Sequence, residues 1–475
     1  MVAPLFDAVA PVNPASAPLA ADSARSELRA LARLALPIAV AQAGLVAMTL
    51  VDVAIVGRVS VNELASCAMG RTLVHTCNAL GIGVSAAVDP LASQAIGAGR
   101  PGQAWAALRA TLRASLLVSV VAFGAALAAT FALVPMGVDP GLVPGVRRYI
   151  VGHALWIFLW PVFLAGKSFL QAHGATRPAL VAVVAANAVN LVACNLMVRG
   201  DEALRWVGLP PLGLPQLGAL GAGLAASLAS AVLSSIVLVA ARRRRAAPRR
   251  DQADEGAVPV AVIYRLGVPI GLQLVAEVGV FGMTALLAGR LGATVVSAHQ
   301  IAIGLASFAF MGAIGVGGAT AVRVGHAVGA GRSPLRPGVL GVLLGAGVMC
   351  VSASTYAAFP RALIGAFTPD ADVLAIGVPL LRIAALFQLF DGVQAVAAGA
   401  LRGAGDVRFP FWANLGAHWA FGLPLSIGLA FGLDLGVRGL WFGLTAGLIA
   451  VAGVLSMRFV RLARAPVARA LPHAG

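Results

Sequence analysis

Long apolar stretches separated by short polar joints run the length of this chain. The stretch SLLVSVVAFGAALAATFALV, residues 115–134, carries no charged side chain at all. A helix that crosses a bilayer needs about 20 predominantly apolar residues. By that measure the pattern predicts about twelve spans, near 34–57, 65–92, 113–136, 147–169, 178–198, 216–240, 262–289, 295–322, 338–359, 375–400, 409–433 and 438–459. The runs are continuous and do not alternate with period two, which argues against a membrane β-barrel. The fold class expected is therefore an all-α integral membrane protein.

The pattern also repeats. QAIGAGR at 94–100 returns as HAVGAGR at 326–332, an offset of 232. At that offset Pro37 falls on Pro269, Ile38 on Ile270, Gly57–Arg58 on Gly289–Arg290 and Ile82–Gly83–Val84 on Ile314–Gly315–Val316. Leu170, Gly174 and Arg177 meet Leu401, Gly405 and Arg408 at an offset of 231. A constant offset over most of each half means tandem duplication of a unit far longer than a solenoid repeat. Two six-helix lobes follow, 27–241 and 259–460, with tails 1–26 and 461–475 and a basic linker 242–258. The doubled Gly-Ala-Gly lacks the Walker Lys-Ser/Thr and follows no strand, so it reads as a structural joint and not a phosphate cradle.

Composition agrees with a lipid-solvated chain. Sixty per cent of the 475 residues are hydrophobic and 11% charged, against about 25% charged in soluble proteins. The net charge of +16 suggests nucleic acid until the arginines are sorted by segment. With the N-terminus in the cytoplasm, 24 Lys and Arg fall on the cytoplasmic side and 8 outside; Arg71 and Arg382, well inside spans, go to neither side. Such a bias is how membrane topology is encoded. The RRRRAAPRR run at 242–250 directly follows a span, where anionic headgroups explain it better than nucleic acid does. The expectation is a multi-pass membrane protein, both termini cytoplasmic, monomeric, with the lipid bilayer as partner. Residues 1–22 lack the charged and apolar regions of a signal peptide. The cysteines 67, 77, 194 and 350 show no metal or disulfide spacing.

Charges inside spans carry the functional signal. An acid at a helix centre costs roughly 2.5–3.5 kcal/mol on insertion scales. Asp52, Glu277 and Asp391 lie deep in the first, seventh and tenth spans, while Asp89 sits near a span end, suited to pairing with Arg, and Glu63 at a solvated rim. The deep acids have polar company at helical spacing: Gln42, Thr49 and Asp52; Gln273 and Glu277, with Phe281 one turn on; Gln388, Asp391 and Gln394. Glutamine and threonine serve as interhelical glue, but a buried carboxylate must be paired, bind a cation or hold a proton. Asn187, Asn190 and Cys194 share a face of the fifth span, as glue or as cavity lining. The repeat sharpens the signal: Asp52 faces Thr284, Glu277 faces Leu45 and Asp391 faces Trp160. The scaffold is duplicated and the acids are not, which marks a specialised cation site in the second half. Phe281 and Phe390 lie on the same two helices as Glu277 and Asp391, placed for apolar or cation–π contact.

Five segments together resemble a known family: LALPIAVAQ…VDVAIVGRVSVNELA, PLASQAIGAGR, LGVPIGLQLVAEVGVF, SAHQIAIGLASFAFMGAIGVGGATAVRVGHAVGAGR and FQLFDGVQAVAAGALRGAGDVRFP. They look like the multidrug and toxic compound extrusion (MATE) transporters, NorM-like bacterial branch, over about residues 27 to 460, which implies a bacterial inner (cytoplasmic) membrane. The resemblance implies lobes related by a pseudo-twofold axis, rocking between outward-open and inward-open states. It implies export of cationic or amphipathic small molecules by antiport with Na+ or H+, no other cofactor, and no enzymatic activity. Glu277, Asp391 and Asp52 would couple cations, with Na+ possible at Glu277 and Asp391. Gln42, Thr49, Asn190, Gln273, Phe281, Gln388, Phe390 and Gln394 would line the substrate cavity. Relatives often carry Asn-x-x-x-Asn or Asn-x-x-x-Asp in the fifth span, where this chain has Asn190 and Cys194. The rivals are a flippase for a lipid-linked precursor, which would line its cavity with arginine, and a narrow-substrate metabolite exporter.

Overall fold

The computed structural model describes residues 23–206, 208, 210–245 and 257–470. Most of the tail 1–26, the core of the linker 242–258 and the end of the tail 461–475 lie outside the described residues. Twelve helices are long and apolar enough to cross a membrane. They are α1 Ala24–Gly57, α2 Val61–Gly97, α3 Pro101–Ala129, α4 Ala154–Ala172, α5 Arg177–Arg199, α6 Ala219–Arg244, α7 Val260–Gly289, α8 Ala293–Gly329, α9 Leu335–Ala358, α10 Ala371–Ala404, α11 Arg408–Gly432 and α12 Gly436–Ala463. No strand occurs among the described residues.

Local chemistry sets the ends of these helices. Ser60 caps α2 through the amide of Asn62, and Asp370 caps α10 through those of Asp372 and Val373. Gly405, left-handed at φ 88°, stops α10. Glu63, expected as a solvated rim acid, keeps 23% of its side chain exposed, accepts from the Ala219 amide at the start of α6 and pairs with Arg148. A carboxylate there satisfies an orphan N–H and meets the positive end of the helix dipole. α2 consists of two helices, Val61–Ala86 and Val88–Gly97. Pro90 lies in the first turn of the second, where its missing N–H is tolerated. The third span begins at Pro101, well before the expected 113, because Arg109 and Arg113 lie within the helix. The fourth is interrupted at His153, between a short helix Val143–Gly152 and α4. α11 contains two π-helical stretches, Gly416–Gly422 and Gly428–Gly432.

Packing divides the chain into two compact units. One comprises 43–88 and the described part of 101–271; the other comprises the described residues of 15–42, 89–100 and 272–475. In the second unit the core gathers on α8, α10 and α12 around Phe387, Trp441, Leu444 and Phe459, each almost fully buried. In the first, Val74, Ile150, Trp156 and Ile157 form a smaller core. The helices turn leucine, valine and phenylalanine outward at many positions, among them Leu117, Val121, Leu286 and Val351, as a surface solvated by acyl chains requires.

The doubled motif explains its own glycines. Within the second unit a Cβ on Gly97 would fall against the His326 backbone, and one on Gly329 against the Gln94 backbone, both inside 3.0 Å. Gln94 and His326 are repeat equivalents, as are Gly97 and Gly329, so the two copies cross each other symmetrically. Gly315 likewise abuts Ala35 and Ala39. In the first unit its equivalent, Gly83, abuts Gly267 and Gly271, which are Ala35 and Ala39 moved on by 232. The joint expected from sequence is thus a helix crossing without side chains. Gln94, 3% exposed, locks it: its Nε2 donates to the Gly403 carbonyl and its Oε1 accepts from the Ala470 amide.

Candidate functional site

In the second unit α7 and α10 bring Glu277 and Asp391 near enough for their charges to interact. Asp391 is 6% exposed and Glu277 partly buried. Neither forms an ion pair among the described residues. Aromatic rings build the wall beside them. Phe281 meets Phe387 edge-on at 6.1 Å, and Phe387 meets Trp441 at 5.4 Å. Trp441 in turn donates its indole N–H to His299 at 3.2 Å, and Phe390 packs against the same cluster. Gln394 is buried one turn from Asp391, and its Oε1 has no partner among the described residues. Gln388 acts as glue: its Nε2 donates to the Ala306 carbonyl at 2.9 Å and its Oε1 accepts from Ser352 at 3.4 Å, joining α8, α9 and α10. Gln273 lies partly buried on α7 and Gln42 partly buried on α1.

Asp52 belongs to the other unit, and its partners there are specific. Asn190, fully buried on α5, donates its Nδ2 to the Asp52 carboxylate at 2.5 Å, and the Cys194 thiol hydrogen-bonds the same group. The face of α5 read as glue or lining is therefore split. Asn187 is glue, donating to the Gly44 and Val183 carbonyls, while Asn190 and Cys194 serve the acid. Thr49 is exposed and turns back on its own helix at Leu45. Asp89 pairs with Arg402 at 3.1 Å, a structural role.

A further cluster of this first unit gathers Arg71, which from sequence stood only as an isolated charge within a span. Arg71, His75 and Asn78 stand at i, i+4 and i+7 on α2, a polar stripe as legible as the others. The Arg71 guanidinium lies within hydrogen-bonding reach of the Tyr149 hydroxyl. Tyr149 stacks on His153 at 4.8 Å, His153 leans on Trp156 at 4.8 Å, and Trp156 meets His75 at 4.9 Å.

A family model described as MatE matches residues 37–196 and, again, 269–427. The chain belongs to the MatE family. The two matches begin 232 residues apart and end 231 apart, the offsets of the internal repeat. A "Probable multidrug resistance protein NorM" of Deinococcus radiodurans is 37% identical, over 93% of this chain and 97% of its own. "Multidrug resistance protein PmpM" of Pseudomonas aeruginosa is 32% identical over 93% and 92%. The crystal structure of the eukaryotic MATE transporter AtDTX14 shares the fold, with TM-score 0.80 at 19% identity, covering 95% of this chain and all of the other. An outward-facing multidrug resistance MATE transporter of the MOP superfamily gives TM-score 0.77 at 19% identity, over 92% and 96%. As a NorM-like MATE transporter, the chain is a multi-pass membrane protein and not an enzyme.

Proposed function

We propose that this MatE transporter exports cationic and amphipathic drugs and toxic organic compounds in exchange for Na+ or H+, by alternating access of its two lobes, 27–241 and 259–460. The relatives' names point to multidrug resistance. The observation that carries the coupling is the pair Glu277 and Asp391, two interacting acids inside one unit with no basic partner among the described residues. Two such acids cannot both stay ionised and empty in a low-dielectric interior; they hold a proton, a metal cation or an organic cation. Each of these competes with the others, so loading from one side displaces cargo from the other. A ligand shifts the two-state equilibrium only by its differential affinity for the states, and neutralising the acids from outside is what returns the empty carrier inward. The bare Oε1 of Gln394 offers a neutral oxygen to a hard monovalent cation such as Na+. Among the described residues no cluster of three metal-ligating side chains supports a divalent ion. Asp52, held by Asn190 and Cys194, is a second coupling acid in the first unit. The carrier acts as a monomer in a bacterial inner membrane, with both termini cytoplasmic.

Ethidium transport by the full chain in proteoliposomes tests this under an imposed sodium gradient and, separately, a proton gradient. Transport that follows one gradient and vanishes in Glu277→Gln supports antiport and names the ion. Full activity in Glu277→Gln removes the residue from the mechanism. Absence of gradient-driven transport for a panel of cationic dyes turns the reading to a lipid-precursor flippase or a narrow-substrate exporter.

A further inference from the structure

The seam between α11 and α12 in the second unit holds two polar side chains with nothing to bond. Asn414 and His418 lie one turn apart on α11, 0% and 1% exposed. Neither polar atom of the Asn414 amide and neither ring nitrogen of His418 has a partner among the described residues. A buried amide and a buried imidazole cost free energy unless something hydrogen-bonds them, and ordered water is the usual answer. His418 belongs to the π-helical stretch Gly416–Gly422, and widened turns of this kind collect at functional sites. Its neighbour across the seam is a glycine. A Cβ on Gly447 of α12 would lie 3.2 Å from His418 Nδ1 and 3.0 Å from the Ala417 carbonyl oxygen, so no side chain at that position answers the ring.

The internal repeat shows that His418 is not needed as glue. At the offset of 231, His418 corresponds to Asn187 and Asn414 to Val183. In the first unit Asn187 ties α5 to α1 by donating to the Gly44 carbonyl. At the offset of 232 the equivalent of Gly44 is Ala276, and in the second unit its carbonyl accepts from the Trp419 indole at 2.9 Å. The interhelical bond has passed to Trp419, and the residue in the place of Asn187 is left with two bare nitrogens. The same bond sets the depth of the seam. Ala276 precedes Glu277, and a Cβ on Gly279 would also meet the Trp419 ring, so this turn of α11 lies beside the turn of α7 that carries the acid. His418 is the eleventh residue of α11, about 15 Å of helix from its start and about half the thickness of the hydrocarbon core. Nearer the start come Asn414 and then Asp406, paired with an Arg458 that is 43% exposed. The acids within the spans of this unit are Glu277 on α7 and Asp391 on α10, and α12 carries no charge between Arg438 and Arg458.

We propose that Asn414 and His418 hold a short chain of water between α11 and α12, through which the coupling proton passes from Glu277 to the cytoplasm. This rests on the exchange proposed above and deepens it, by naming the proton as the coupling ion and giving its exit. The carboxylic acid of Glu277 gives its proton to water, and water gives one to the imidazole. The ring takes that proton on one nitrogen and releases one from the other toward Asn414, so no net charge stays in the seam. Exchange through the same water restores the tautomer. Release leaves Glu277 ionised and ready for an organic cation, so proton and drug occupy the acid in turn.

The test separates driven transport from exchange, using the full chain in proteoliposomes. Exchange of ethidium for ethidium at equal pH needs no net proton transfer. His418→Leu is expected to lose proton-driven uptake roughly tenfold or more and to keep that exchange. Its melting temperature is expected to equal or exceed that of wild type, since an apolar side chain in place of a bare buried polar one is neutral or stabilising. Asn414→Leu should behave alike, while Asn414→Ser, which can still bond water, should keep most of the driven uptake. Hydroxyl-radical footprinting of the wild type in heavy-oxygen water is expected to label His418 despite its burial, and it needs no variant to fold. Fully driven uptake in His418→Leu overturns the exit. So does an unlabelled His418, or loss of exchange together with a lowered melting temperature, which marks a structural residue. A wild type driven by sodium alone overturns the exit and leaves antiport standing. No uptake under either gradient sinks antiport itself, and the exit with it.

Discussion

Adding one methyl group at Gly329 tests the symmetric crossing of the doubled motif. The Cβ of Gly329→Ala would meet the carbonyl oxygen, carbonyl carbon and Cα of Gln94, all inside 3.0 Å. These are backbone atoms and cannot rotate aside, so the helices must part. Overpacking of this kind costs about 1–3 kcal/mol, and every 1.4 kcal/mol is a factor of ten in an equilibrium. Gly97→Ala meets the His326 backbone in the same way and should cost about the same, because the two glycines are equivalent in the repeat. The double variant should fall short of the sum, since helices already parted by the first methyl make room for the second. Gly331→Ala is the control. Its φ is +68° and no described residue lies within 4 Å of the added carbon, so it carries only left-handed backbone strain of about 1 kcal/mol. The assay is thermal unfolding in detergent of the three single variants and the double. A Gly331→Ala loss as large as that of Gly329→Ala would refute the crossing. So would a large disparity between Gly97→Ala and Gly329→Ala.

Three further outcomes are expected. Phe387→Ala removes a ring that is 1% exposed and contacts both Phe281 and Trp441; it should lower stability by about 3–5 kcal/mol, read as a depressed melting temperature, and a shift within error would mean the aromatic wall is not a core. Asn190→Leu strips Asp52 of its amide donor and should impair gradient-driven transport while Asn187→Leu, which loses only bonds to backbone carbonyls, spares the coupling; the ratio of driven to downhill ethidium flux reads the difference. Asp201, outside the spans, accepts from the backbone amides of Leu214, Leu212 and Gly213, and these bonds hold its carboxyl below the ordinary 3.8. A depressed folded value means the order of 212–214 is fully present above 3.8 and is lost as pH falls through the lower value. Amide exchange at Leu214 that is indifferent to acid across that range would show the carboxylate does not organise the loop.

The twelve spans and the duplication were legible in the chain because each is a repeating signal, integrated over about 20 positions or over half the sequence. One error can be dropped without losing the pattern. The ends were less legible, since a window of apolar residues stops at Arg109 although the helix of α3 does not. Single residues were read by their cost: Glu277 and Asp391 stood out because an acid in lipid is expensive, and they do lie together. Glu63 keeps 23% of its side chain exposed at the span's start, but its bond to the Ala219 amide was not legible, because that partner is 156 residues away.

The number of helices, the repeat and the short list of improbable charges are properties of composition along a line, and the chain alone carries them. Which of those charges meet is set by folding alone. Folding set Asn190 and Cys194 on Asp52, put Gln388 to use as glue and built the Arg71 cluster from α2 and the short helix Val143–Gly152, more than 70 residues apart. Apolar helices in lipid gain little from hiding leucine from leucine's own solvent, so glycine spacing and buried polar pairs select the partners. Those are contacts between distant positions, and no period along the chain encodes them.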